Sequence, residues 1–331
     1  GFGQSVLGLH WLAQAFHYQA GLPEWAGWLA VPLLAAYLGV FPALALAFAK
    51  WLAPDRAIFR ILVFPAAWII FEWSRGWLLT GFAWNPLGVI WIDVPLVARL
   101  GQWVGATGLS GLSVALAGSL LQSLQTRRFL FVLQIAALLL AQVTPRPADI
   151  KTSQVRVRVV QPNINQDEKW RSDRSRQHRQ SLLALSGKPR RDGGSRFIFW
   201  PEAAVAEELD RAPHIRQQLA EILGPHDLLL TGGIAITRGT GGEAATATNS
   251  MFVIDSKAEI VARYDKAHLV PFGEYVPPFA KWLGLSRFAA GAVEFREGPG
   301  PRSLTLAGLP KVAVNICYEM TFPGKVVDPA D

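Results

Sequence analysis

The stretch RYDKAHLVPFGEYVPP, residues 263–278, sets a lysine, a histidine and a glutamate among prolines, glycine and aromatic rings. Pro271, Gly273, Pro277 and Pro278 break helix and strand periodicity alike, so the stretch reads as a rigid, irregular loop rather than a regular element. An ammonium held in such a loop, here Lys266, can stabilise a developing oxyanion. His268 alone reads as a structural hydrogen-bonding residue, and Glu274 is a carboxylate carried by the GEY turn.

Short strand-like runs flank the loop. VRVRVV (155–160) alternates charge with valine, while FIFW (197–200), LLLTGGIAI (228–236), SMFVID (250–255) and VAVNIC (312–317) are mostly apolar enough for buried strands. Residues 172–186 and 211–223 read as amphipathic helices, and interleaved strands and helices predict an α/β layered domain. Two strand ends carry possible chemistry. Glu202 follows Pro201 just beyond FIFW; alone it reads as a surface acid, yet a carboxylate at a strand end can serve as a general base. Cys317 closes VAVNIC and is followed by Tyr318 and Glu319. Alone it reads as inert core packing. Beside Lys266 its thiol pKa would fall, making it a nucleophile near neutral pH. It is the only cysteine here, which excludes an intrachain disulfide and a cysteine-built zinc site.

Working outward, the rest of the 331 residues divides sharply. Overall 17% of residues are charged and the net charge is +7, against roughly 25% charged in an ordinary soluble domain. Residues 1–143 carry 7 Lys+Arg and 4 Asp+Glu, whereas 144–331 carry 25 and 21; ten of the 13 tryptophans fall in the first part. The basic excess is spread over both parts, and the cluster Arg171, Arg174, Arg176 and Arg179 reads as a solvated helix face, so no nucleic-acid partner is expected. A helix crosses the hydrocarbon core with about 20 apolar residues, and spans are predicted near 1–18, 26–49, 59–80, 100–123 and 129–144. The boundaries expected are therefore a helical membrane domain over 1–145 and a water-soluble α/β domain over 146–331. The linkers near 50–60 and 124–128 hold Lys50, Arg56, Arg60, Arg127 and Arg128, while 19–25 and 81–98 hold no Lys or Arg. That bias places the former in the cytoplasm and the soluble domain on the outer side. Glu72 and Arg75, three apart on one helix face, predict either an ion pair or a role near a substrate entrance. No basic region precedes the first apolar run, so a cleaved signal peptide is not expected, and the chain reads as an excised piece.

Taken together and in order, WPE, YDKAHLVPFGEYVP and ICYE resemble the Glu–Lys–Cys signature of the nitrilase superfamily. QPNINQDEKW (161–170) and GFAWNPLG (81–88), joined to that signature behind several apolar helices, resemble the apolipoprotein N-acyltransferase family. The resemblance implies a multi-pass enzyme of the bacterial inner membrane whose nitrilase-like αββα sandwich faces the periplasm. It implies acyl transfer from a phospholipid to the amine of a diacylglyceryl-cysteine on a lipoprotein, by a ping-pong route, with no metal or organic cofactor. By motif, Glu202 would be the base, Cys317 the acylated nucleophile and Lys266 the oxyanion partner. Glu274, Tyr318, Glu319 and Trp170 would support the site or engage substrate. The resemblance further implies membrane segments before Gly1 and more of the sandwich beyond Asp331. The domain would thus be incomplete at its C-terminal end, and the 331 residues alone are expected to be inactive. Two alternatives stay open: a membrane-tethered amidase using the same triad, and a non-catalytic membrane scaffold or transporter.

Overall fold

A computed structural model of the chain describes residues 1–18, 23–53, 59–126, 155–169, 171–189, 194–239, 242, 244–282, 293–322, 324–325 and 327–328. The chain forms two compact units, a helical one and an α/β one.

In the helical unit, α1 (Phe2–Leu9) passes into a 3-10 helix over His10–Tyr18. The long α2 (Trp25–Leu52) follows, then a π-helical turn (Phe59–Val63) leading into α3 (Phe64–Arg75). Short 3-10 turns over Leu78–Thr80 and Leu87–Trp91 precede α4 (Pro95–Ala98) and α5 (Gly101–Thr126). Among the described residues only α2 and α5 are long and apolar enough to cross a membrane. The predicted span 1–18 changes helix type at His10. The predicted span 59–80 ends as a helix at Arg75: Trp77 leaves the helical region at φ −141°, and Leu79 and Thr80 then take positive φ angles of 51° and 91°. An apolar run reveals hydrophobicity but not such breaks. The span predicted at 129–144 lies outside the described residues. Leu29, Leu33, Val40, Leu44 and Phe48 of α2 are all exposed, which does not suit the core helix of a water-soluble protein.

The α/β unit is built on a mixed six-stranded sheet. Its strands are β1 (Val157–Val159), β2 (Phe197–Phe199), β3 (Leu228–Arg238), β4 (Ala244–Asp255), β5 (Ile260–Asp265) and β6 (Glu294–Phe295). The order is β1-β2-β3-β4-β5, with β6 also paired to β4; β1, β2 and β3 run parallel, and β4 is antiparallel to β3 and β5. Strand alternation sorts the core onto two faces. Ile198, Leu229, Phe252 and Ile254 meet α6 (Ser175–Ser186) and α7 (Pro213–Ala220) through Leu182, Ile215 and Leu219. Phe197, Leu228, Leu230 and Val253 face the other way, against Tyr264, Leu304, Val314 and Ile316. On that side a two-stranded hairpin, β7 (Ser303–Leu304) and β8 (Val312–Ala313), lies off the main sheet.

Two expectations change. Residues 263–265 belong to β5, so the irregular loop begins at Lys266 rather than at Arg263. VAVNIC is a strand only over Val312–Ala313, and Cys317 opens a 3-10 helix (Cys317–Thr321) rather than ending a buried strand. The starts of β2 and β3 are locked by a buried ion pair: Asp227 accepts from the Arg196 backbone N–H at 2.7 Å and from its guanidinium at 2.7 Å.

Candidate active site

β2 delivers Trp200 and Pro201, and the chain then folds tightly so that Ala203 takes a φ of 48°. That elbow sits directly on Gly232 of β3, where a Cβ would lie 2.5 Å from Ala203 N and 2.6 Å from both Glu202 Cα and Pro201 O. Only a residue without a side chain lets the backbone carrying Glu202 approach so closely.

Lys266 follows β5 immediately; its N–H donates to the Asn249 carbonyl at 2.8 Å, and its side chain is 1% exposed. Burying an ammonium is costly unless it is paired. Nζ accordingly lies 2.9 Å from Glu274 Oε2 and 3.9 Å from Glu202 Oε1. Asn249, on β4, ties the two acids together: its amide donates to Glu202 Oε1 at 2.7 Å and to Glu274 Oε1 at 3.0 Å. The Val270 N–H also donates to Glu274, at 2.8 Å. Glu274 is thus held by side chain and backbone together.

Cys317 is exposed and has a left-handed backbone, φ 54°, at the start of the 3-10 helix. Strain of this kind in a non-glycine residue concentrates at functional sites. Cys317 and Glu202 line one cavity of about 320 Å³, with Phe199, Met251, Val314 and Ile316 as its apolar wall. Desolvation first, then the negative charges of Glu202 and Glu274, push the Cys317 thiol above its ordinary value; Lys266 pulls the other way and loses. This corrects the expectation of a thiol held low by Lys266: the cation acts in that direction, but burial and the two carboxylates outweigh it.

Glu319 points away from the cavity. It is 4% exposed and accepts from Tyr264 Oη at 2.8 Å and from the N–H groups of Ala267 at 2.6 Å, His268 at 3.1 Å and Ile316 at 2.7 Å. One carboxylate therefore staples the Lys266 loop to the turn that presents Cys317. Burial first, and then the contact with Glu319, pushes the Tyr264 hydroxyl well above its ordinary value, so it stays a donor. Tyr318 is buried, edge-on to Phe322 at 4.9 Å, where it packs the turn. The structure thus brings Glu202, Lys266, Glu274 and Cys317 to one place, and sets Tyr318 and Glu319 behind it. Trp170 lies outside the described residues. Sequence reading missed Gly232, Asn249 and Tyr264. The glycine pair inside β3 was the one available signal, since glycine within a strand marks close backbone approach.

Residues 156–330 match the model of the Carbon-nitrogen hydrolase family, more than half of the chain. The chain belongs to that family. Residues 1–119 match a second model, the Apolipoprotein N-acyltransferase N-terminal domain. Among curated proteins, apolipoprotein N-acyltransferases of Caulobacter vibrioides, Brucella melitensis and Rhodopseudomonas palustris are similar at 34%, 34% and 33% identity, each across 98% of this chain. The chain spans 63%, 64% and 64% of those relatives, less than two thirds of their length. A crystal structure of an N-terminal amidase with an Asn-Glu-Ala peptide is a remote likeness, at 14% identity and TM-score 0.27 over 49% of this chain and 37% of that one. The mixed sheet carries the cavity lined by Glu202 and Cys317, and the helical unit holds two long apolar helices.

Proposed function

We propose that this chain carries the catalytic machinery of an apolipoprotein N-acyltransferase, moving an acyl chain from a phospholipid to the terminal amine of a diacylglyceryl-cysteine. The observation that carries the proposal is the cavity shared by Cys317 and Glu202, with Lys266 3.9 Å from Glu202, in a chain whose other unit is apolar and outward-facing. Because the thiol is held protonated, attack needs a base, and Glu202 is the carboxylate that lines the cavity with it. Glu202 takes the thiol proton, sulfur adds to the ester carbonyl, and the Lys266 ammonium faces the oxyanion. Collapse of the adduct expels the lysophospholipid alkoxide, which takes the proton from Glu202. The acceptor amine then attacks the thioester, yields a proton to Glu202 and leaves as the amide, and the thiolate is reprotonated. Glu274 fixes Lys266, Asn249 spaces the two acids, and Glu319 with Tyr318 sets the turn. Trp170 is proposed to engage substrate. No step calls on a metal or organic cofactor.

We place α2 and α5 across the inner membrane, with the soluble unit in the periplasm and the boundary between units near residues 145–146. Lys50 and Arg60, with Arg127 and Arg128 in the sequence, support the cytoplasmic assignment of one end. Incubating the natural protein with phospholipid labelled in its acyl chain tests the reaction. The expected result is a hydroxylamine-labile label on Cys317 that an added diacylglyceryl-cysteine peptide discharges as amide. Release of ammonia or amine from an amide substrate, with no labelled enzyme, would instead establish an amidase.

A further inference from the structure

The segment between α3 and α5 was expected to be an outer linker, but its contacts set it at membrane depth. This inference rests on the reading that α5 crosses the bilayer. The Arg60 carbonyl faces Gly118 and the Pro65 carbonyl faces Gly111, so α3 runs antiparallel along α5 with the π turn level with Gly118, while the Arg60 side chain reaches on to Gln122, at 2.9 Å, and Gln125. α3 ends at Arg75, and the chain then returns along α5. Gly88 sits against Ala106 and Leu109 and donates to Ser110 Oγ at 2.7 Å; the Trp91 ring N–H donates to Ser113 Oγ at 2.7 Å. Ser113 lies 12 residues before Gln125 in the helix. Its level is about 18 Å from the cytoplasmic end, and that of Ser110 about 22 Å, both inside the core.

Irregular backbone at that depth must find its hydrogen bonds within the protein. Here it does. Glu72 Oε1 accepts the Leu87 N–H at 2.9 Å, Arg75 donates to the Trp84 carbonyl at 3.1 Å, and the Phe82 N–H donates back to the Arg75 carbonyl at 2.8 Å. This accounts for two charged side chains on one face of an apolar helix: they supply polar partners to a non-helical strip of backbone. In the same strip, Val89, Ile90 and Ile92 are exposed (43%, 59% and 69%), and Asp93 follows as the first charge.

We infer that residues 82–92 form a re-entrant segment that dips into one leaflet and lays Val89, Ile90 and Ile92 against lipid acyl chains. Nitroxide labels at Ile90→Cys and, separately, Ile92→Cys test it, in a Cys317→Ser background reconstituted into phosphatidylcholine vesicles. Leu44→Cys on α2 and Val261→Cys on β5 are the lipid and water references, both exposed positions. Collisions with oxygen over a water-soluble nickel chelate should rise at both test sites to the level at Leu44. Nickel accessibility equal to that at Val261, with Leu44 lipid-like, overturns the inference and leaves the membrane reading intact. A water-like Leu44 overturns both. Because the two labels sit on opposite sides of the end of the 3-10 turn, misfolding of one variant leaves the other to decide.

Discussion

Replacing Gly232 by alanine should cripple the chemistry while leaving the fold standing. The new methyl would lie 2.5 Å from Ala203 N and 2.6 Å from Glu202 Cα and Pro201 O, all backbone atoms that cannot swing aside as a side-chain tip can. Ordinary contact begins near 3.4 Å, so the elbow bearing Glu202 must retreat by about 0.9 Å, the difference from 2.5 Å. Overpacking of this size costs about 1–3 kcal/mol. A shift near 1 Å in a reacting group lowers the rate on the order of 100-fold. The neighbouring Gly233→Ala is the internal control: its nearest contact is 3.2 Å, to the edge of the Phe252 ring, which can give by a few tenths of an ångström. Acyl transfer should therefore fall about 100-fold in Gly232→Ala and remain close to wild type in Gly233→Ala, both measured in natural protein that still melts cooperatively. Equal losses in the two variants, or an unimpaired Gly232→Ala, would refute the claim that close approach at Gly232 positions the base.

The raised Cys317 thiol gives a pH signature whose sign differs from that of a simple Lys–Cys pair. Iodoacetamide alkylation should climb only above pH 9.0, the ordinary value for the thiol; Glu202→Gln should shift the curve to lower pH although transfer is lost, and Lys266→Met should shift it higher. A Glu202→Gln curve displaced upward would contradict the charge balance described. The same shift links to stability: because the folded value is raised, its contribution is complete below the unfolded value and fades as pH rises through the folded one. Glu319→Ala strands four donors, those of Tyr264, Ala267, His268 and Ile316, and should cost about 3 kcal/mol or more in thermal melts. Asp227→Ala should destabilise by about 3–5 kcal/mol with the Cys317 alkylation curve unmoved, since it abandons the buried Arg196, and neither partner is among the groups that shift the thiol.

What could be read in advance was what depends on neighbours in sequence. Alternation in VRVRVV and the apolar runs of FIFW and LLLTGGIAI specify strands because side chains alternate faces along them. Motif order likewise pointed to Glu202, Lys266 and Cys317. What escaped depends on partners far along the chain: Asn249 acts through Glu202, 47 residues away, and Tyr264 through Glu319, 55 residues away. The direction of the thiol shift escaped for a related reason, since the sequence displays Lys266 without showing the burial of the thiol or the two acids gathered beside it. In the helical unit, hydropathy registered the apolar run 59–80 but not its end at Arg75, because the backbone reversal at Leu79 and Thr80 involves residues with no special turn preference.

The Glu319 staple sets the spacing of cation and nucleophile directly, across most of the chain that joins them. Fifty-one positions separate Lys266 from Cys317, yet the same two oxygens grip the peptide groups just after one and just before the other. Loop and turn are pinned to each other directly, so the stretch beyond Glu274, which itself holds Lys266, can lengthen or shorten without detuning the reaction centre.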